Sequence, residues 1–179
     1  MRRYALTAIG RDRPGIVADV TKALYDHDCN LEDSSMTRLE DEFAIILIMS
    51  APEGMDENAI SEDLVKTERK TGLTIHLKEL DEKAPAGGEL SNFIITLHGA
   101  DKTGIVYRTA EALRKWKVNI VDLETSIVGS GREKVYIMVM EVRTPDEADS
   151  KEIKKELKEL ATELGVTIKM KPLEDFEPL

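Results

Sequence analysis

The sequence predicts an α+β protein of two similar small domains, each an antiparallel four-stranded sheet with two helices on one face. Two observations lead to this prediction. The segment GRDRPGIV at 10–17 recurs as GADKTGIV at 99–106, which is 89 positions later. Both halves also show the same succession of strand and helix patterns. Because this period is far longer than that of solenoid repeats, the halves are two domains and not members of an array.

The first half divides into six predicted elements. Side chains alternate between two faces over 3–9, which predicts a strand. Helical spacing then runs from Pro14, a residue suited to a first helical turn, to His27. The later elements are a strand at 29–38, a turn at 39–42, an apolar strand at 43–49, a helix at 56–71 closed by Gly72, and a strand at 73–80.

The second half repeats this order. Its predicted elements are a strand around 93–97, a helix at 103–116, a strand at 118–128, a hairpin turn at 129–131, an apolar strand at 135–140, a helix at 146–164 and a strand at 166–171. The order βαββαβ is the ferredoxin-like arrangement. We place the first domain at 1–83, a linker at 84–90, the second domain at 91–172 and a tail at 173–179.

The two apolar strands, 43–49 and 135–140, are hydrophobic on both faces. Strands of this kind are buried on both sides, whereas the two helices of each domain cover only one face of its sheet. We therefore expect the other face to be covered by the other domain, by another chain, or by both.

The composition excludes several classes of function. The net charge is −10 and neither half is basic, so direct binding to a nucleic acid backbone is not expected. No apolar run approaches the length of a membrane span, and no secretory signal pattern opens the sequence. The single cysteine suits a reducing compartment. We expect a cytoplasmic protein.

The repeated Gly-x-Asp-x-x-Gly turn joins the first strand of each domain to its first helix. Gly10 and Gly99 are expected to adopt positive φ, while Gly15 and Gly104 keep side chains away from the helix start. A helix N-terminus presents unpaired N–H groups that favour a carboxylate or a phosphate. The aspartate of each turn either caps the helix or accepts a hydrogen bond from a ligand ammonium group.

Asn30 and Asn119 open the second strand of each domain, near the far end of the preceding helix. A contact between such an asparagine and the glycine turn must therefore bridge two domains or two chains. Alternatively, Asn30 only suits the left-handed position that often ends a helix.

These residues resemble a known family. The turn DRPGIV at 12–17, the amphipathic helix after it and the Asn30-Leu31 strand start resemble the ACT domain, a small regulatory module that binds amino acids. The resemblance covers both halves. A tandem pair without an attached enzyme is similar to the glycine cleavage system transcriptional repressor group, which acts through a protein partner and does not itself read DNA. The turn also occurs in the regulatory domain of formyltetrahydrofolate deformylase, but no catalytic domain follows here.

In the family, an amino acid lies where the glycine turn of one domain faces a strand of its partner. By position, the resemblance implies two sets of ligand-binding residues: Asp12, Arg13, Pro14, Gly15, Ile16, Asn30 and Leu31, and in the second half Asp101, Lys102, Thr103, Gly104, Ile105, Asn119 and Ile120. The second set departs from the first. Lys102 lacks the bidentate geometry of an arginine, and Thr103 stands where the first turn has proline but can cap a helix. The two sites need not share affinity or ligand.

No arrangement of residues for catalysis, metal binding or a cofactor stands out in the sequence. His27 and Trp116 occupy equivalent positions, which indicates packing at a helix end. We therefore predict a non-enzymatic regulator, a homo-oligomer such as a dimer, that binds a small amino acid and signals through a protein partner such as a transcription activator. The alternative is a ligand-free module for protein–protein interaction that dimerises through its apolar sheet faces.

Overall fold

The computed structural model describes residues 2–81, 91–130 and 134–173. The chain divides into two compact units, Met1–Pro85 and Ala86–Leu179, called unit 1 and unit 2 below. The predicted linker at 84–90, the last residue of the predicted hairpin at 129–131 and the predicted tail from 174 onward lie outside the described residues. The domain limits inferred from the sequence stay a prediction.

Each unit contains four strands and two helices in the predicted order. Unit 1 comprises β1 (Arg2–Arg11), α1 (Ile16–Tyr25), β2 (Asn30–Leu39), β3 (Glu42–Ala51), α2 (Glu57–Thr71) and β4 (Thr74–Leu80). Unit 2 comprises β5 (Ser91–Gly99), α3 (Ile105–Lys115), β6 (Asn119–Val128), β7 (Val135–Thr144), α4 (Ser150–Leu164) and β8 (Val166–Pro172). The strand orders are β2-β3-β1-β4 and β6-β7-β5-β8, with antiparallel neighbours. The predicted fold class is confirmed.

All four helices begin later than the sequence patterns suggest, α2 by a single residue. The residue that caps the start of α1 is Gly15 and that of α3 is Gly104, so Pro14 and Thr103 lie before the helices. In α4 the start moves from 146 to Ser150, because the Asp149 carboxylate accepts the Lys151 N–H at 2.8 Å and ends the preceding loop. At the other end, α1 finishes at Tyr25, which leaves His27 in the following turn and not in the helix.

One face of each sheet packs against the helices and forms the core. In unit 1 the alternate residues Tyr4, Leu6 and Ala8 of β1 are buried, together with their neighbours on β3. Unit 2 has the same arrangement, with Ile95 and Leu97 fully buried. The period-2 alternation of the strands therefore separates a helix-covered face from an open face in each unit.

In each unit, the residue at the aligned positions 27 and 116, just after the first helix, forms a hydrogen bond with the second helix. His27 Nε2 lies 3.0 Å from an oxygen of the Asp63 carboxylate, and Trp116 Nε1 donates to Glu156 at 2.6 Å. The pKa of Asp63 is lowered by hydrogen bonds, chiefly the one from Lys66 and to a smaller extent the one from His27. The two aromatic rings therefore hold the end of the first helix of their unit against the second, as the packing interpretation expects.

Candidate functional site

The start of α1 has no side-chain cap over its backbone amides. Gly15 has the left-handed conformation, with φ 84°, and no side chain caps the helix. The capping role considered for Asp12 is therefore wrong. Its carboxylate accepts a hydrogen bond from the Arg38 guanidinium at 3.4 Å, and its own N–H donates to the Asp41 carbonyl at 2.7 Å. The first-turn N–H groups of α1 are left without a side-chain acceptor, as a site for an external anion requires.

The start of α3 has the same geometry. Gly104 has φ 91° and α3 also has no side-chain cap, so neither Asp101 nor Thr103 performs that role. A Cβ placed on Gly15 or Gly104 would meet no heavy atom within 4 Å. The space in front of both helix starts is therefore open within each unit.

The other glycine of each turn has a different purpose. Gly99 does not adopt the positive φ expected for it. A Cβ on Gly99 would lie 2.7 Å from Val166 Cγ1, and one on Gly10 would lie 3.1 Å from the Gly72 carbonyl oxygen. Val166, the first residue of β8, therefore excludes a side chain at Gly99, and the Gly72-Leu73 segment just before β4 leaves little room for one at Gly10. The first glycine of the motif thus serves packing, and the second leaves the helix start accessible.

Arg13 is held within unit 1 by a charge network at this helix start. Its guanidinium donates to the Asp19 carboxylate at 2.7 Å, and Lys70 Nζ donates to the other oxygen of that carboxylate at 2.6 Å. The hydrogen bond from Lys70, followed by that from Arg13, lowers the pKa of Asp19. Arg13 therefore lies beside the open amides with its charge already partnered.

Lys102 has a structural partner in unit 2. Its Nζ donates to the Leu164 carbonyl at 2.6 Å, at the last residue of α4. A cation at the C-terminus of a helix is favoured by the helix dipole and satisfies a carbonyl that has no intrahelical partner. This contact gives Lys102 a structural role in unit 2.

We expect Lys102→Met to lower the free energy of unfolding of unit 2 by about 1 kcal/mol, because a helix-end carbonyl loses its charged donor. Urea denaturation of the full chain measures the loss. Lys158→Met is the control, since it removes the same charge from an exposed position of α4. An equal loss in both variants would contradict the capping role of Lys102.

Sequence inspection missed the ion pair that joins the two helices of each unit near the site. Asp19 of α1 pairs with Lys70 of α2, whereas at the same place Arg108 of α3 pairs with Glu163 of α4. In unit 2 the first helix carries the positive charge and the second helix the negative one, the reverse of unit 1, so both ion pairs are attractive. The signal was available, because residues 19 and 108 are 89 positions apart and opposite in charge.

The remaining residues predicted to bind the ligand differ in their exposure to solvent. Ile16 and Ile105 are core residues, only 3% and 2% exposed, so they offer a ligand their backbone and not their side chains. Leu31 is exposed and Ile120 is half-buried. The asparagines at 30 and 119 are both exposed at the starts of β2 and β6.

The register of the sheet separates Asn30 from the glycine turn of its own unit. Gly10 and Arg38 both lie level with Phe43, whereas Asn30 lies level with Ser50. Seven residues of extended strand span about 23 Å. The left-handed alternative for Asn30 is wrong, because the positive φ after each first helix belongs to Asp28 and Lys117.

Two further features of the described residues bear on function. Within 2–81, 91–130 and 134–173, no three His, Cys, Asp or Glu side chains come together in a way that could hold a metal ion. None of the helices in those ranges is long and apolar enough to cross a membrane.

Comparison with known proteins gives consistent results. The family model described as the ACT domain matches residues 4–78 and 91–171. The glycine cleavage system transcriptional repressor of Escherichia coli is 27% identical over 165 residues, which cover 89% of this chain and 84% of that protein. A UPF0237 protein of Methanopyrus kandleri is 35% identical over 82 residues, which cover 45% of this chain and 91% of that protein.

Among solved structures, an unknown protein from Galdieria sulphuraria superimposes with a TM-score of 0.80 at 25% identity, covering 96% of this chain and 98% of that one. The family model matches both units, and each matched segment includes the glycine turn and the sheet described above. The chain therefore belongs to the ACT domain family and carries two copies of that domain.

Proposed function

We propose that this protein is a non-enzymatic regulator that binds a small amino acid, such as glycine or serine, between ACT domains. The observation that carries the proposal is the pair of uncapped helix starts behind Gly15 and Gly104, where no Cβ obstructs the approach of a ligand. An amino acid carboxylate matches this position, because unpaired N–H groups and the helix dipole favour a negative charge.

The rest of the ligand requires residues from a neighbouring ACT domain. Within unit 1, Asn30 lies at the far end of the sheet from the turn, so it reaches a ligand only at the turn of another domain. There, the ligand ammonium group would meet Asn30 of one domain and Asp12 of the other, or their counterparts Asn119 and Asp101. Binding would then favour one arrangement of domains over another, which is how a ligand shifts a conformational equilibrium.

We propose that this shift is transmitted to a protein partner in the control of amino acid metabolism. The similarity to the Escherichia coli repressor over 89% of the chain supports this role. The net charge of −10 argues against direct contact with DNA. The partner would recognise a surface of the folded pair of ACT domains.

A thermal-shift panel of the standard amino acids tests the proposal. A ligand that binds only the folded state raises the melting temperature, by an amount equivalent to about 2.7 kcal/mol at a concentration of about 100 times its Kd. We expect one or a few small amino acids to raise the Tm at millimolar concentration. A panel with no shift would contradict ligand binding.

The second candidate function is a ligand-free interaction module. The observation in its favour is the exposed apolar surface on the open face of unit 1, where Ile9 and Ile46 are more than half exposed. A panel without shifts, combined with self-association or capture of a protein partner, would favour this function over the first.

A further inference from the structure

The sheet of unit 1 has an open face, opposite its helices, with an apolar centre. The central strands β1 and β3 contribute three levels of paired residues to this face: Ala5 with Ile48, Thr7 with Ile46, and Ile9 with Ala44. Ile9 is 55% exposed and Ile46 is 52% exposed. Side chains of this kind in the middle of a sheet indicate a surface that another protein covers.

The two edges of the open face carry opposite charges. At the level of Ala5 and Ile48, the edge strand β2 contributes Asp33 and the edge strand β4 contributes Lys78. At one end of the central strands, Arg11 of β1 is paired with Glu42 of β3 on the same face. The open face is therefore an apolar strip with one acidic residue, Asp33, on its β2 edge and one basic residue, Lys78, on its β4 edge.

The paired side chains of β1 and β3 on the open face also differ in size. In each pair a large residue of one strand lies beside a small one of the other: Ile48 beside Ala5, Ile46 beside Thr7, and Ile9 beside Ala44. Such a face can pack against the same face of a second copy if β3 of the second copy lies over β1 of the first, and β1 of the second copy over β3 of the first. Every large side chain then meets a small one.

A two-fold axis parallel to the strands, between β1 and β3, makes that exchange. It places Ile48 over Ala5 of a second copy and Ile46 over Thr7 of the second copy. The same rotation places Asp33 over Lys78 of the second copy. It also brings Arg11 over Glu42 of the second copy. Shape and charge are thus complementary in the same orientation.

The other two-fold axis in the plane between the faces runs across the strands and fits less well. It would place Ile46 against Ile46 of the second copy and Asp33 against Thr37 of the second copy, so the ionic contacts are lost. The favoured axis also leaves the strands of the two sheets aligned, as in sandwiches whose sheets pack about 10 Å apart.

We propose that two copies of this chain associate through the open faces of their first units, about a two-fold axis parallel to the strands, with Asp33 of each facing Lys78 of the other. This association goes beyond the ligand-binding proposal, since it uses the sheet face and not the glycine turns, and it gives the open face of the second candidate function a specific partner and axis. Four strands of seven residues present roughly 450 Å² of face per copy. Two copies would therefore bury about 900 Å² in total, which is the size of a weak, transient interface. We therefore expect a dimer with a micromolar Kd.

Sedimentation velocity of the full chain, without amino acids and up to about 100 µM, measures the monomer–dimer equilibrium. We expect Asp33→Lys to weaken the dimer about ten-fold, because two symmetric contacts change from attraction to repulsion. Ile46→Glu should weaken it at least as strongly. Circular dichroism and Tm establish that each variant is folded, since both positions are on the surface of unit 1.

The double variant Asp33→Lys with Lys78→Asp is the decisive control. It reverses both edges, so a dimer of two first units recovers to within about two-fold of the original Kd. If unit 1 instead faced unit 2 of the other copy, the reversed charges would meet Asp122 and Lys171 of unit 2 with like sign, and the double variant would form a still weaker dimer.

A chain that stays monomeric throughout, a single variant with unchanged Kd, or a double variant without recovery would each overturn the proposal. Sedimentation and the thermal-shift panel are scored separately: a Tm response without a dimer overturns only this association, and a dimer without a Tm response overturns only ligand binding at the glycine turns.

Discussion

Replacing Leu6 with alanine is expected to destabilise unit 1 by about 3 kcal/mol while leaving unit 2 folded. Leu6 is completely buried in the centre of β1 and belongs to a core cluster formed entirely by residues of unit 1. Removing a buried leucine side chain loses its transfer free energy and leaves a cavity, at a cost of about 2–5 kcal/mol. In a domain of 60–100 residues each kcal/mol shifts the Tm by about 4–8 °C, so the transition of unit 1 should fall by more than about 10 °C.

Ile95→Ala is the matched variant in unit 2. Ile95 is the equivalent position of β5, and it is equally buried in a separate cluster. Differential scanning calorimetry of the full chain should show a different transition moving in each variant. If both substitutions lowered one common transition by the same amount, the two units would unfold together, and the independent domains predicted at 1–83 and 91–172 would be contradicted.

Gly15→Ala is expected to reduce the affinity for the amino acid ligand at least about ten-fold. In the proposed binding mode the ligand carboxylate approaches the first-turn amides of α1 past Gly15, so a methyl group added there would obstruct it. The fold should survive, because this Cβ meets no atom within 4 Å and the left-handed backbone costs an alanine about 1–2 kcal/mol. Isothermal titration with the amino acid found in the thermal-shift panel measures the affinity.

Gly54→Ala separates strain from ligand contact. Gly54 has φ 83°, close to the 84° of Gly15, and a Cβ there also meets no atom within 4 Å. It lies in the loop between β3 and α2, away from the glycine turn. An equal loss of affinity in both variants would contradict the assignment of the site to Gly15. Gly104→Ala, measured in the same way, shows whether the second turn binds as well.

The order of elements could be predicted because it depends on local signals. Alternation identifies β1, an apolar run identifies β3, and Gly72 and Gly165 stop the second helix of each unit in the left-handed conformation. The helix starts were predicted less well. The Pro14 signal suggested an earlier start for α1 than the Gly15 conformation allows, since a left-handed residue cannot continue a helix.

The roles of individual residues in the turn depended on neighbours that are distant in the sequence. Gly99 was expected to provide conformational freedom, but its absent side chain makes room for Val166. Lys102 was expected at a ligand, but it reaches the end of α4, 62 residues away. Such contacts follow from packing between elements, which no local pattern encodes.

The duplication, the βαββαβ order and the two glycine turns can be recognised from the amino-acid order alone, because short-range geometry and periodicity produce them. The fate of each charged side chain at the turns became clear only in the folded units, because helices brought together by the sheet supply the partners Asp19, Lys70 and Leu164. The same holds for the open face of unit 1. Its opposite edges and its large-on-small levels arise from strand register, and register is set by the packing of the opposite face against the helices.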